Sequence, residues 1–385
     1  MQLATPSDGG CDVLFLAGEH SGDQHAARLA ADLWAAHSDL KMAAIGGRAL
    51  EQAGVQLLHD LTESSVVGLV EVLKNYGYFR ELFESTLNWV VENRPKVLVL
   101  VDYPGFNLRL AKALADRGIS RKGGGDVAVY QYISPQIWAW KAGRRFKMAR
   151  YLDEVGAIFP FEPDCYKDTD LPVQFVGHPF ADSRHQLPLR YAADAGLLLL
   201  PGSRKQAVLR IFPLMLQAWK CLDANDPLKQ ATVLFPSEPI REILQQAMAQ
   251  AGIEDGAIQL VPAETPTAAR AVLTSSGTMS LVCAMAGIPG AIVYRAHPIT
   301  YWIGRRLVRI PYLGMANLIL DEVMYPEFLQ GAAHPKALIS ALHDAQSPDR
   351  IERTQKQSTQ LAETLRAESG STAVDRIFSY LVPTK

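Results

Sequence analysis

The sequence predicts an α/β protein made of two Rossmann-like parallel-sheet domains in tandem. Three observations carry the prediction. Short apolar runs without polar alternation, such as Leu197 to Leu200, read as strands buried on both faces, as in parallel sheets. Segments with helical spacing separate such runs in both halves of the chain. The length, 385 residues, exceeds what one hydrophobic core commonly serves.

The elements follow in order. Asp12 to Ala17 is a first strand, Gly18 to Asp23 a tight loop, and Ala26, Leu29, Ala30 and Leu33 then share a helical face. Ser21 or Asp23 is expected to cap that helix. The loop is not GxGxxG, so a dinucleotide site is weakly supported. Ala43 to Ile45 is a second strand, with a helix from Gly47 to Ala53. Ser65 to Phe79 is apolar on more than one helical face. It reads either as a buried helix or as an apolar patch that meets lipid. Pro95 to Val101 is a strong central strand, and Asp102 stands directly after it. A carboxylate at that end serves chemistry or caps a turn. Val127 to Ile133 is the next strand. It leads into two tryptophans, Trp138 and Trp140, and a basic run, Lys141, Arg144, Arg145, Lys147 and Arg150. These read as core and solvated helix, or together as a holder for an amphipathic anion. Val155 to Phe159 and Val173 to Val176 complete the first half, and Ala181 to Leu189 reads as a linker.

In the second half the strand candidates are Leu197 to Leu200, Ala231 to Phe235, Ile258 to Val261, Ala271 to Thr274 and Ala291 to Tyr294. Pro201, Gly202, Ser203 and Arg204 follow the first of them. Arg204 is a planar cation suited to phosphate, at the strand end where open sheets place ligands. Ser275, Ser276, Gly277 and Thr278 form a second such loop, so the half reads as a nucleotide-diphosphate cradle. Residues 348–381 are charged and helical in pattern. The expected domains are 11–185 and 190–345, with a cleft between them, and helices within 350–385 packing back on the first domain or on a partner.

Composition narrows the function. Apolar residues are 48% and charged residues 20%, the profile of a soluble globular protein. A net charge of −2 gives no bulk case for nucleic-acid binding. Cys11, Cys165, Cys221 and Cys283 are scattered without a CxxC pair, as expected of reduced thiols in the cytosol. No signal peptide and no run of transmembrane length are seen. No cluster of metal-ligand spacing stands out.

With these loops in order, the chain resembles the lipid-A-disaccharide synthases, inverting glycosyltransferases of the two-Rossmann-domain GT-B type. The resemblance runs from Leu14 to about Gln330 through GEHSGD (18–23), IGG (45–47), VVGLVEVL (66–73), VDYPGFNLRLAK (101–112), YISPQIWAW (132–140), PFE (160–162), FVGHPFAD (175–182), LLPGSR (199–204), SSGT (275–278), YR (294–295), RRLVRIPY (305–312) and Asn317. It implies transfer of a sugar from UDP-2,3-diacylglucosamine to 2,3-diacylglucosamine 1-phosphate, giving a β(1→6) tetraacyl disaccharide 1-phosphate and UDP. It also implies no cofactor and no metal, a place on the cytoplasmic face of the inner membrane, and a homodimer as one possible assembly. Asp102 is then the expected base and Arg204 the group that neutralises the leaving diphosphate. The implied donor side is Gly202, Ser203, Arg204, Ser275, Ser276, Gly277, Thr278 and Asn317. The implied acceptor and lipid side is Glu19, Ser21, Gly22, Asp23, Val70, Leu73, Ser134 and Trp138.

The chain departs from the family pattern at five positions. Val282 stands where a ribose-binding glutamate is usual, with Glu264 as a substitute acid. Ala207 replaces an acid, Gly105 an aspartate, Ala316 a proline, and His20 a small residue. Other readings are a GT-B enzyme using another UDP-sugar, and an impaired paralogue that binds lipid.

Overall fold

The computed structural model describes every residue except 2, 8, 62–75, 183–185, 308–309 and 383–385. Its chain divides into two compact units, Met1–Pro179 with Leu365–Lys385, and Phe180–Thr364.

The first unit is built on a parallel sheet of order β3-β2-β1-β4-β5-β6-β7. The strands are β1 Val13–Ala17, β2 Met42–Gly46, β3 Gln56–Asp60, β4 Val97–Val101, β5 Ala128–Tyr132, β6 Glu154–Ala157 and β7 Val173–Phe175. Every residue of β1, β2, β4 and β5 is buried, because helices cover both faces of a parallel sheet. The helices His20–Ala36, Tyr76–Asn93 and Pro104–Asp116 belong to this unit, and Leu14, Leu98, Leu110 and Trp89 lie in one shared core.

The second unit repeats the plan with order β11-β10-β9-β13-β14-β15. Here β9 is Leu197–Leu200, β10 Ala231–Phe235, β11 Ile258–Pro262, β13 Ala271–Thr274, β14 Gly290–Tyr294 and β15 Glu327–Leu329. A separate parallel pair joins β8 Leu189–Tyr191 to β12 Thr267–Ala269. Its core packs Leu197 and Leu199 against Val208, Phe212 and Met215 of the helix Lys205–Lys220 and Leu338 and Leu342 of the helix Pro335–Ala345.

Two expectations need correction. The division falls at 179/180, and β8 begins inside the stretch read as linker. The two tail helices part company: Pro348–Thr364 counts with the second unit and Ala373–Leu381 with the first. Arg376 anchors the latter with a bidentate pair to the buried Glu154, at 2.6 and 2.9 Å. Tyr380 adds an O–H bond to the same carboxylate at 2.9 Å, and Phe378 stacks on His37. Most of Ser65 to Phe79, with Val70 and Leu73, lies outside the described residues. Its described end is turned inward, with Tyr78 against the core and its hydroxyl 2.7 Å from His59 Nε2.

Candidate active site

Each sheet reverses its strand order once, between β1 and β4 in the first unit and between β9 and β13 in the second. Open α/β sheets bind ligands at the carboxyl ends of strands flanking such a reversal. The loops opening there are those after β1 (Gly18–Glu19), β4 (Asp102–Tyr103), β9 (Pro201–Arg204) and β13 (Ser275–Gly277).

In the first unit the loop after β4 is strained. Asp102 has φ 45° and Tyr103 φ 44°, consecutive left-handed residues that are not glycine. Ile133, just after the neighbouring β5, has φ 69°. Such residues cost about 1–3 kcal/mol each and persist only where their surroundings fix them. The buried Asn107 donates its side-chain amide to the Asp102 carbonyl at 2.7 Å. The buried Gln131 donates to the carbonyls of Ile133 at 3.1 Å and Tyr132 at 3.3 Å. Pro104 then starts the helix Pro104–Asp116, where its missing N–H costs nothing. Asp102 itself is half-buried. Asn107 and Gln131 are therefore positioning residues. Asn107 lies inside a quoted motif, yet nothing in the sequence marked it as the residue holding the loop.

The loop after β1 presses on this one. A Cβ added to Gly18 would lie 2.3 Å from the Tyr103 ring, so only glycine fits. Burial, helped by the Glu19 charge, raises the Tyr103 phenol pKa. Glu19 and Ser21 are exposed beside it, whereas Gly22 and Asp23 are buried. The Asp23 carboxylate accepts the N–H groups of Gly47 at 2.8 Å and Ala49 at 2.9 Å, at the start of the helix Arg48–Gln52. Burial raises its pKa against those backbone donors. Asp23 thus caps a neighbouring helix, and His20–Ala36 begins after Glu19 with no side-chain cap.

Ser134 and Trp138 are likewise committed inside the unit. The buried Ser134 hydroxyl lies 2.7 Å from that of Tyr166. The Trp138 indole donates to Glu162 at 3.2 Å. Glu162 is 0% exposed and also accepts from Ile158 N and Phe159 N; burial pushes its carboxyl up to about 8. A further feature went unread. His25, Arg28 and His178 crowd one interior region, and burial first, then mutual repulsion, lowers His25 to about 4 and His178 to about 3.

In the second unit the loops present donors. Arg204 is the exposed residue preceding the helix Lys205–Lys220, and Gly277 precedes the helix Thr278–Met285. Neither helix carries an acid in its first turn. Two N-termini with unneutralised dipoles, at the carboxyl ends of β9 and β13, favour an anion. Ser203, Gly277 and Thr278 are exposed, and Ser275 and Ser276 half-buried. Gly202 has φ 115°, and a Cβ there would come 3.2 Å from Ser275 Oγ, which ties the two loops together.

Asn317 departs from expectation. It is 0% exposed. Its amide donates to Tyr325 O at 2.7 Å and Glu327 at 2.9 Å. Its carbonyl accepts from Met324 N and Tyr325 N, both at 2.9 Å. All four of its bonding positions are taken, so it builds the 313–327 loop and has nothing left for a ligand. Val282 is 1% exposed and packs in the core. Glu264 is exposed after β11, two strands from β9.

Comparison with known proteins bears on these loops. The lipid-A-disaccharide synthetase family model matches residues 13–378. A lipid-A-disaccharide synthase 1 of Legionella pneumophila (strain Lens) is 35% identical over 385 residues, covering 96% of each chain. The lipid-A-disaccharide synthase of Coxiella burnetii (strain Dugway 5J108-111) is 34% identical over 339 residues, 85% of this chain and 86% of its own. Among solved structures, UDP-GlcNAc 2-epimerase of Neisseria meningitidis superposes with TM-score 0.57 at 10% identity, over 95% of this chain and 97% of its own. A calicheamicin glycosyltransferase gives 0.54 at 14%, over 96% and 98%. These two likenesses concern the fold, which is of the GT-B type.

Proposed function

The chain belongs to the lipid-A-disaccharide synthase family, glycosyltransferases of GT-B fold, and from that premise we propose the reaction and the residues that perform it. The donor is UDP-2,3-diacylglucosamine and the acceptor 2,3-diacylglucosamine 1-phosphate. The acceptor 6-hydroxyl attacks the anomeric carbon as the bond to the diphosphate breaks, with inversion. The acceptor proton goes to Asp102, and UDP leaves. A carboxylate is far too weak a base to ionise a free hydroxyl, so its proton transfer accompanies bond formation. Arg204 and the N–H groups opening the helices after β9 and β13 meet the charge growing on the diphosphate. Such preorganised donors stabilise the transition state more than the ground state. Ser275, Ser276 and Thr278 supply hydroxyl donors to the same anion.

The observation that carries this reading is the contrast at the two reversals: a carboxylate residue on a firmly held backbone after β4, and a cationic, amide-rich loop pair after β9 and β13. With Val282 buried and apolar, the ribose contact passes to another group, and Glu264, exposed after β11, is the acid we assign to it. Among the described residues no helix is long and apolar enough to cross a membrane. Acylated substrates place the enzyme at the cytoplasmic face of the inner membrane as a peripheral protein. Purified enzyme given the acylated donor and the 1-phosphate acceptor should release UDP and form the tetraacyl disaccharide, read by mass spectrometry. Preference for plain UDP-N-acetylglucosamine would refute the assignment.

A further inference from the structure

In the first unit, residues 140–143 lead into the short helix Arg144–Tyr151. Met148 and the following Leu152 anchor it in the core. Its outer stripe is Gly143, Phe146, Lys147 and Arg150, all exposed, at the three- and four-residue spacing of one helical face. Trp140 is 48% exposed and Phe146 53%. Each ring carries cations: Lys141 lies 4.4 Å and Arg144 5.7 Å from the Trp140 centroid, and Arg145 4.4 Å from that of Phe146. Arg145 is also paired with Asp168, and Lys167 with Asp164. Among the described residues no ion pair engages Lys141, Arg144, Lys147 or Arg150. The whole chain carries −2; here Lys141, Arg144, Arg145, Lys147, Arg150 and Lys167 outnumber Asp164, Asp168 and Asp170, the last two lining the same hollow as Phe146 and Arg150.

We propose that this face, Trp140 with Phe146, Lys147 and Arg150, docks the protein on an anionic bilayer. Indole and phenyl rings settle at the headgroup level, where one edge is apolar and the other wet. Cations beside them meet lipid phosphates, each adding to the attraction of an anionic leaflet. The charges are spread along a helix of about 12 Å rather than converging on a point, which suits a surface better than a single small anion. The proposal rests on the lipid-substrate reading above and adds the surface through which the enzyme reaches its substrates.

The test is flotation with vesicles of phosphatidylethanolamine and phosphatidylglycerol, against vesicles of phosphatidylcholine alone. Two double variants are compared with wild type, Trp140→Ala with Phe146→Ala, and Lys147→Glu with Arg150→Glu. Lys356→Glu, on an exposed helix position of the second unit, is the charge control. Wild type and control should float with the anionic vesicles and be released by salt. Each double variant should lose at least about tenfold in partitioning, with turnover on detergent-dispersed substrates unchanged. Equal partitioning of wild type and variants overturns the proposal. So does loss of turnover on dispersed substrates, which makes the face a substrate site. Wild type that turns over dispersed substrate yet ignores vesicles overturns it while the transferase reading stands. Wild type that floats through this face but accepts no acylated donor leaves the docking face intact and removes the transferase reading.

Discussion

The two units share a topology and differ in how they build the loops at its reversal point. In the first, non-glycine residues take left-handed backbone: Asp102, Tyr103 and Ile133. In the second, the corresponding left-handed position after β9 is a glycine, Gly202, with φ 115°. The first thus spends conformational energy on the backbone that carries Asp102, and Asn107 and Gln131 hold that backbone through the carbonyls of Asp102 and Ile133. The second spends little, because helix N-termini and Arg204 act on an anion without needing one exact rotamer. A base must meet a single proton, whereas a diphosphate can be met by several donors at once. The difference in strain follows from that difference in task.

The largest effects test the division of labour directly. Asp102→Asn keeps the size and removes the base, so turnover should fall about 10²–10⁴-fold with fold and UDP affinity retained. Near-normal turnover would move the base to Glu19, the exposed carboxylate beside Tyr103. Arg204→Ala should lower kcat by an amount near 2.7–4 kcal/mol, the scale of a lost oxyanion donor, and should weaken UDP binding measured by calorimetry. The contrast is that Asp102→Asn leaves UDP affinity alone. Equal loss of UDP affinity in both variants would erase the distinction drawn between the units.

The units should also differ in their response to acid. His25 and His178 are held neutral in the folded first unit, at about 4 and about 3 against an ordinary 6.5. The second unit's His297, His334 and His343 are exposed. A base whose pKa is depressed by folding takes up its proton more readily when unfolded. Its contribution is intact above pH 6.5 and is lost as pH falls toward 4, at about 1.4 kcal/mol per pH unit for each histidine. Glu162, raised to about 8, acts with the opposite sign and costs stability as pH rises from 4.5. Asp23 and Asp153, whose carboxyls burial also raises, act in the same sense as Glu162, and the histidines' own share is a loss on acidification. Urea midpoints measured across that range should show it, and the variant with His25→Gln and His178→Gln should have a flatter slope. An unchanged slope would mean that folding leaves the pKa of both rings unshifted.

How much of this could be read beforehand depended on whether a residue's role is carried by its own type or by its partners. The strands β1, β4, β5, β9 and β13 announced themselves because burial on both faces demands apolar runs, broken here only by Gln131 in β5 and Thr274 at the end of β13. The edge strand β3, with its sequence Gln-Leu-Leu-His-Asp, and the three-residue β8, β12 and β15 carry no such pattern. The loops bearing Asp102, Arg204 and Ser275 were legible because each follows such a run. Asp23 and Asn317 show the converse: both are polar residues in a motif, and both make internal hydrogen bonds that only the folded chain reveals. The His25, Arg28 and His178 group unites distant segments, so no local spacing could disclose it.

The smallest effect isolates strain itself. Replacing Tyr103 by either alanine or glycine removes the ring that packs on Gly18 and stacks with Phe106. The two variants then differ only in the backbone. At an ordinary φ alanine is the more stable, because glycine loses more freedom on folding, by about 0.5–1 kcal/mol. At φ 44° a Cβ meets the following carbonyl, a penalty of about 1–2 kcal/mol that glycine escapes. The sign should therefore invert, with Tyr103→Gly the more stable of the pair by up to about 1 kcal/mol in chemical denaturation. In the second unit Gly202→Ala should go the same way for the same reason, losing at least as much, since its Cβ also approaches Ser275 Oγ. If Tyr103→Ala proved as stable as Tyr103→Gly while Gly202→Ala was costly, the first unit's loop would be relaxed in solution. Asp102 would then owe its position to side-chain packing alone, and strain would no longer separate the two units.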